Sequence, residues 1–130
     1  HISYYENQGI QKSKEEHIVK MFQLMANTGK LVKISELDMG YVSMNGDTVP
    51  TTQMTDSMHR EMADYYNFIV RKYFEIIPPE QQYGITQWCP TDSPGALGTG
   101  WRGGEPVGLW DQDYNRKYAY AGFANGLMGK

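Results

Sequence analysis

The sequence predicts an α/β fold in which parallel strands alternate with helices. Three strand-then-helix patterns follow one another at about 40 residues per unit, and no internal repeat interrupts them. The chain of 130 residues fits one domain. Its composition, 40% hydrophobic and 21% charged, is that of a globular rather than a disordered chain.

The first helix is predicted to begin at a capping box, in which the Ser13 hydroxyl accepts from the amide of Glu16 and Glu16 reaches back. Asn27-Thr28-Gly29 is a stop signal, because glycine readily adopts a positive φ. Four apolar residues between these signals recur at the spacing of one helical face: Ile18, Met21, Phe22 and Met25.

The second helix is predicted to begin near Thr55 or Asp56 and to end at Pro78-Pro79, since proline cannot continue a helix. Its apolar stripe consists of Met58, Met62, Tyr65, Ile69, Tyr73 and Ile76. Residues 83–89 form a further strand pattern and residues 118–127 a last helix. The segments 40–55 and 90–106 are predicted loops, the second rich in glycine and proline.

Residues 31–39 are predicted to form a buried strand that ends in two carboxylates. Alternation places four residues on one face: Val32, Ile34, Glu36 and Asp38. Carboxylates in such a strand are costly unless they reach a polar site, although a solvated strand end is the alternative. Catalytic residues of (β/α)8 barrels lie at the carboxyl ends of the strands, where Glu36 and Asp38 fall.

Charge and composition argue against several classes of function. The net charge of -3 gives no electrostatic footprint for nucleic acid. No apolar run approaches the roughly 20 residues of a membrane span. The single cysteine, Cys89, excludes an internal disulfide. The start at His1 has neither an initiator Met nor a signal peptide, so a cut through a longer chain is expected.

The segment Ile34-Ser35-Glu36-Leu37-Asp38-Met39 resembles the nucleophile strand of glycoside hydrolase family 10, the endo-β-1,4-xylanases. The usual form there is Ile-Thr-Glu-Leu-Asp-Ile. Other segments agree in order and spacing. His1 stands where the family has the His that ends strand six, and residues 61–66 resemble Gln-Ala-x-x-Tyr. Residues 85–93 resemble Val-Thr-Val-Trp-Gly-x-x-Asp-Ser, and residues 109–120 resemble Leu-x-Asp-x-x-Tyr followed by Lys-Pro-Ala-Tyr.

The resemblance implies that residues 1–130 are the C-terminal part of a (β/α)8 TIM barrel, about strands six to eight with helices six to eight. The implied activity is retaining hydrolysis of internal β-1,4-xylosidic bonds in xylan. Glu36 would be the nucleophile, and Asp38 with His1 an orienting relay. Trp88 and Trp101 would bind the sugar at the cleavage site.

The retaining mechanism needs a second carboxyl group about 5–5.5 Å from the nucleophile. In the family this acid/base Glu lies on strand four, upstream of this sequence, and no carboxylate in the chain is a convincing substitute. The isolated chain is therefore expected to be inactive and to need the N-terminal barrel portion. No cofactor is implied, because water and two carboxylates suffice. A polymeric substrate implies a secreted, periplasmic or cell-surface location.

Three departures from the family pattern suggest a divergent subgroup: Tyr118 for Pro, Cys89-Pro90 for a Gly-x pair, and Glu61 for Gln. Four other residues are expected to have no catalytic role, Tyr114 and Tyr120 as structural residues, His17 and His59 as solvent-facing helical residues.

Two alternatives remain. A metal site is one, since His1, Glu36 and Asp38 are ligand types, although H-E-x-x-H spacing and Cys pairs are lacking. A non-catalytic carbohydrate-binding or structural piece is the other. Three parallel strands alone leave two open edges, so self-association or pairing with an N-terminal portion is expected.

Overall fold

The computed structural model describes residues 1–92 and 101–130. In these residues parallel strand runs and helices alternate, as the sequence predicts. In chain order the elements are β1 (Ile2–Tyr5), α1 (Gln8–Ala26), β2 (Val32–Leu37), β3 (Met39–Val42), α2 (Asp56–Ile76), β4 (Gln82–Gln87) and α3 (Tyr118–Leu127). Short 3-10 turns lie at Thr51–Gln53 and Pro79–Gln81, and a turn with positive φ at Arg102 and Gly103 lies at Trp101–Gly104.

The runs β2 and β3 are parts of one strand that changes its partner at Asp38. β2 pairs in parallel with β4, whereas β3 pairs in parallel with β1. At the change, Trp88 N donates to Leu37 O at 2.8 Å and Ile2 N donates to Asp38 O at 3.1 Å. The residues that begin β1 and follow β4 are thereby brought to either side of Asp38.

The strand prediction was right about this segment but placed its end too early. Pairing with β1 continues through Val42, so the loop predicted from Gly40 begins only at Ser43. His1 lies immediately before β1 rather than at the end of a described strand.

The predicted capping box at Ser13 was wrong, because helix α1 begins five residues earlier, at Gln8. Asn7 is the N-cap: its Oδ1 accepts from Gly9 N at 3.1 Å and from Ile10 N at 3.2 Å. Ser13 lies inside the helix on an exposed face. The early start follows from β1, because the buried Gln11 accepts a hydrogen bond from Tyr5 N and ties the first helical turns to the strand end.

Helix α2 confirms its predicted bounds and is buried on two sides. Thr55 caps it by accepting from Met58 N at 3.3 Å, and it ends just before Pro78. One side carries the predicted apolar stripe, and Tyr73 OH from this side donates to Val32 O at 2.6 Å. The other side packs closely on α3, where a Cβ on Gly122 would lie 2.1 Å from a backbone oxygen of α2.

The core lies between the strands and α2 and is rich in tyrosine. The largest fully buried side chains include Tyr41, Tyr66, Tyr73, Met39 and Met62. Burial raises the pKa of Tyr66 above its usual value, so its hydroxyl remains a donor. None of the described helices has the length and apolar character needed to cross a membrane.

Candidate active site

The side chain of His1 lies between two carboxylates. Its Nε2 is 2.9 Å from Glu36 Oε2, and its Nδ1 is 3.1 Å from Asp38 Oδ2. Only the imidazolium form can donate to both carboxylates at once. Both carboxylates contact the same imidazole. The strand alternation, which placed Glu36 and Asp38 on one face, was therefore predicted correctly.

The two carboxylates differ sharply in their exposure. The Glu36 side chain is 47% exposed, whereas that of Asp38 is 0% exposed. The difference follows from position, because Glu36 lies within β2 near its carboxyl end and Asp38 at the partner change. Glu36 is accessible to a ligand, whereas Asp38 contacts only its protein neighbours.

Asp38 is surrounded by hydrogen-bond donors, as a buried carboxylate must be. Oδ2 accepts from Trp101 Nε1 at 2.6 Å and lies beside the ring of His1. Oδ1 accepts from Arg102 Nη1 at 2.9 Å. Asp38 thus binds three side chains at once, the imidazole of His1, the indole of Trp101 and the guanidinium of Arg102.

The rings of Trp88 and Trp101 lie beside the imidazole of His1. The His1 ring centroid lies 5.9 Å from that of Trp88 and 5.1 Å from that of Trp101. The two tryptophans are 45% and 42% exposed. Flat apolar faces beside an exposed carboxylate form a surface suited to a sugar ring. Residues 93–100, including Ser93 of the strand-eight motif and much of the glycine-rich loop, lie outside the described part of the chain.

Sequence reasoning missed Arg102 and Glu105. Arg102 binds Asp38 and also lies 2.9 Å from Glu105 Oε2. Glu105 is 8% exposed and faces Arg102. Burial raises the pKa of Glu105, and the guanidinium only partly opposes this effect. In the sequence these two residues are marked only by an arginine among glycine residues, with a glutamate three positions later.

The end of the loop after β4 is held by a buried ion pair. Lys117 Nζ donates to Asp92 Oδ1 at 2.7 Å and also to the carbonyls of Pro106 and Gly108. Burial lowers the pKa of Lys117, although Asp92 opposes this effect. These motif residues fix the segment that follows Trp101 and Arg102.

Of the two histidines expected to face solvent, His17 is exposed, whereas His59 is only half-exposed. His59 lines a polar cavity of about 270 Å³ together with Asp92 and Lys117. Its pKa is lowered by burial and by the Lys117 cation. The prediction for His59 was wrong because residues 51–52 and 111–113 lie around the same cavity and reduce the exposure of His59.

The metal alternative finds no geometric support in the described residues. Each ring nitrogen of His1 is directed at a carboxylate oxygen. No group of three or more His, Cys, Asp or Glu side chains in residues 1–92 and 101–130 is arranged to hold a metal ion.

The fold and the arrangement of these side chains define one class of protein, an incomplete (β/α)8 barrel with its polar site around the strand ends. A thermostable mutant of the xylanase Xyn10A from Cellvibrio japonicus matches with a TM-score of 0.74 and 22% identity, over 99% of this chain and 38% of that one. Native xylanase10C from Cellvibrio japonicus matches with a TM-score of 0.73 and 27% identity, over 89% and 26%.

The profile of Glycosyl hydrolase family 10 matches residues 1–126. The chain belongs to this family. It is 31% identical over 114 residues to endo-beta-1,4-xylanase Xyn10C of Cellvibrio japonicus, covering 81% of this chain and 19% of the relative. It is 26% identical over 114 residues to endo-1,4-beta-xylanase B of Humicola insolens, covering 88% and 28%. The chain therefore spans well under a third of the length of these relatives.

Proposed function

We propose that this chain carries the nucleophile of a retaining endo-β-1,4-xylanase, with Glu36 in that role. The observation that supports this most directly is the exposed Glu36 carboxylate, which lies 2.9 Å from His1, whose ring is beside two exposed tryptophans. Family membership agrees, and a variant of xylanase10C from Cellvibrio japonicus, 26% identical to this chain, has been solved in complex with xylopentaose.

The proposed reaction has two steps. In the first, a Glu36 oxygen forms a bond to the anomeric carbon of a xylosyl unit as the glycosidic C–O bond breaks, and an acid protonates the departing oxygen. In the second, water gives a proton to the same group and attacks the anomeric carbon, which releases Glu36. His1 orients the carboxylate for both steps, and Asp38 holds the imidazole.

We place the acid/base carboxylate in a part of the barrel outside this chain. Asp38 is fully buried and already bonded to Trp101 and Arg102, so it is not available to a leaving group. Glu105 is buried beside Arg102. The proposed partners are therefore xylan or a xylo-oligosaccharide and the remaining strands and helices of the barrel, in a secreted, periplasmic or cell-surface setting.

The experiment compares the isolated chain with the completed barrel, meaning this chain joined to or assembled with the remaining barrel units. Release of nitrophenol from an aryl β-xylobioside is measured for each, with Glu36→Gln and, as control, the exposed Glu16→Gln. We expect release only from the completed barrel, with a loss of about 10⁴-fold or more in Glu36→Gln. A 2-deoxy-2-fluoro-xylobiosyl fluoride should label Glu36 covalently, as detected by peptide mass spectrometry.

A carbohydrate-binding role without catalysis is the second candidate, favoured by the exposed faces of Trp88 and Trp101. Binding of xylohexaose by the completed barrel, without hydrolysis and without labelling of Glu36, would establish it in place of the xylanase. Hydrolysis unaffected by Glu36→Gln would instead mean that another carboxylate is the nucleophile.

A further inference from the structure

We propose that Arg102 is a positioning residue for the nucleophile, acting through Asp38 and His1. This inference rests on the proposed function of Glu36. The guanidinium reaches three separate segments of the chain although Arg102 itself lies in a loop, and its side chain is only 17% exposed.

Arg102 contacts both the carboxylate that faces His1 Nδ1 and the backbone next to His1. Its Nη1 donates to Asp38 Oδ1 at 2.9 Å, which leaves Oδ2 for His1 and Trp101. The same Nη1 donates to Ile2 O at 2.7 Å, the carbonyl of the residue that directly follows His1. One guanidinium therefore holds the carboxylate that faces the imidazole and the backbone that carries it.

The other end of the guanidinium also has two partners. Nη2 donates to Ser3 Oγ at 2.9 Å and lies 2.9 Å from Glu105 Oε2. That oxygen is buried and has no aligned hydrogen bond in the described residues, so its interaction with Arg102 is an ion contact. A planar fork with several donors is required here, because lysine offers only a point charge.

The backbone around Arg102 shows that these contacts outweigh a local cost. Arg102 has φ 54 and ψ 32, and Gly103 has φ 61 and ψ 32. The left-handed conformation is unfavourable for a non-glycine residue and persists only where the surroundings determine it. Here the determining contacts are those of the Arg102 side chain with Ile2, Ser3 and Asp38.

Gly40 completes the seat of this guanidinium. A Cβ at position 40 would lie 1.8 Å from Glu105 Oε2 and 2.7 Å from Arg102 Nη2. Any other residue at this position would displace the pair. Three residues thus lie behind Asp38 and support it without facing the exposed side of the site: Gly40, Arg102 and Glu105.

The test uses the completed barrel with Arg102→Met, which keeps the apolar stem, Arg102→Lys, and the control Arg116→Met. Arg116 is an exposed arginine that lies over the ring of Tyr120. The readouts are kcat and KM on the aryl β-xylobioside, the rate of Glu36 labelling by the fluorinated xylobiosyl fluoride, and the midpoint of thermal unfolding.

We expect Arg102→Met to lower kcat and the labelling rate by roughly 10²-fold with KM changed by less than about threefold, as for a misplaced catalytic group. Arg102→Lys should recover about tenfold, because it restores charge without the fork. The control should match the wild type.

Labelling and kcat at wild-type levels in Arg102→Met, with only the melting midpoint lowered, would show a merely structural role and overturn the inference. If Arg102→Met does not fold, Arg102→Lys decides: reduced kcat at an unchanged melting midpoint supports the inference, and wild-type kcat overturns it. Absence of label on Glu36 in the wild type would instead refute the proposed function itself.

Discussion

Glu36 and Asp38 stand two positions apart on one strand, yet their surroundings give them different tasks. The Glu36 side chain is 47% exposed and bonded to one ring nitrogen, whereas Asp38 is fully enclosed by donors. A group that attacks a substrate needs access, and a group that orients it needs fixed partners. Exposure alone therefore separates the proposed nucleophile from its supporting carboxylate.

Glu105 makes the stability of the site dependent on pH. Burial raises its pKa above the ordinary value of 4.5, so the folded chain binds this proton more tightly than the unfolded chain. This contribution to stability is largest below that ordinary value and is lost as the pH rises through the folded pKa. Because a glutamine amide does not ionise, we expect Glu105→Gln to keep its stability where the wild type loses it with rising pH.

The measurement is the thermal unfolding of the completed barrel at pH 4.5 and at about pH 7. The midpoint of Glu105→Gln minus that of the wild type should be higher at about pH 7 than at pH 4.5. For the exposed Glu16→Gln this difference should not depend on pH. A relative midpoint that falls toward neutral pH would mean that the ion contact with Arg102 outweighs the cost of burial.

Residue patterns grouped Glu36 with Asp38, the family resemblance added His1, Trp88 and Trp101, and neither predicted Arg102 or Glu105. Alternation along β2 was enough to group Glu36 with Asp38. Arg102 contacts Asp38 and Ile2 across separations of 64 and 100 residues through a backbone with positive φ. Neither the separation nor that conformation is encoded in a local pattern, because arginine normally avoids it.

At the scale of elements, the strand through Asp38 shows what alternation leaves open. A period of two identifies the faces of residues 32–42 but not their neighbours. The structure divides this segment between β4 and β1, with register irregularities between Ile34 and Leu37. The position of Asp38 between two pairings could be found only from the fold.

The start of α1 provides a direct test of the two capping assignments. Asn7→Ala removes the acceptor for Gly9 N and Ile10 N, and we expect it to lower the free energy of unfolding by about 1 kcal/mol. Ser13→Ala is the matched control. It lies inside the helix and should change the free energy by less than about 0.5 kcal/mol.

Urea unfolding of the completed barrel measures both values. A larger loss for Ser13→Ala than for Asn7→Ala would restore the capping box as the helix start. The sequence favoured Ser13 because a Ser-x-x-Glu spacing also suits an exposed helical face, where Ser13 and Glu16 both lie. For α2, the two candidate starts, Thr55 and Asp56, are adjacent and Pro78 limits the end, so both bounds were predicted correctly.

At the scale of the whole molecule, the described strands form an open sheet. β1 pairs only with β3 and β4 only with β2, in the described residues. Apolar side chains on the outer parts of α1 and the following turn are exposed: Ile10, Met21, Leu24, Met25 and Leu31. Unpaired edges and contiguous apolar surface favour association.

We therefore expect the isolated chain to self-associate, and expect the remaining barrel units, when supplied as a separate chain, to suppress this. Multi-angle light scattering over a range of concentrations measures both effects. A monodisperse monomer at high concentration would show that these edges are already protected. A matched variant with Leu24→Lys, at an exposed apolar position, should weaken association without touching the site.

The placement of the tryptophans gives the site its own optical signal. Trp88 and Trp101, two of the three indoles in the chain, lie within 6.0 Å of each other and beside the imidazole of His1. Trp110 packs instead against Tyr120, at 5.1 Å between ring centroids. Two of the three tryptophan contributions to the fluorescence of this chain will thus come from the surroundings of the proposed nucleophile, and Trp110→Phe would leave only these two.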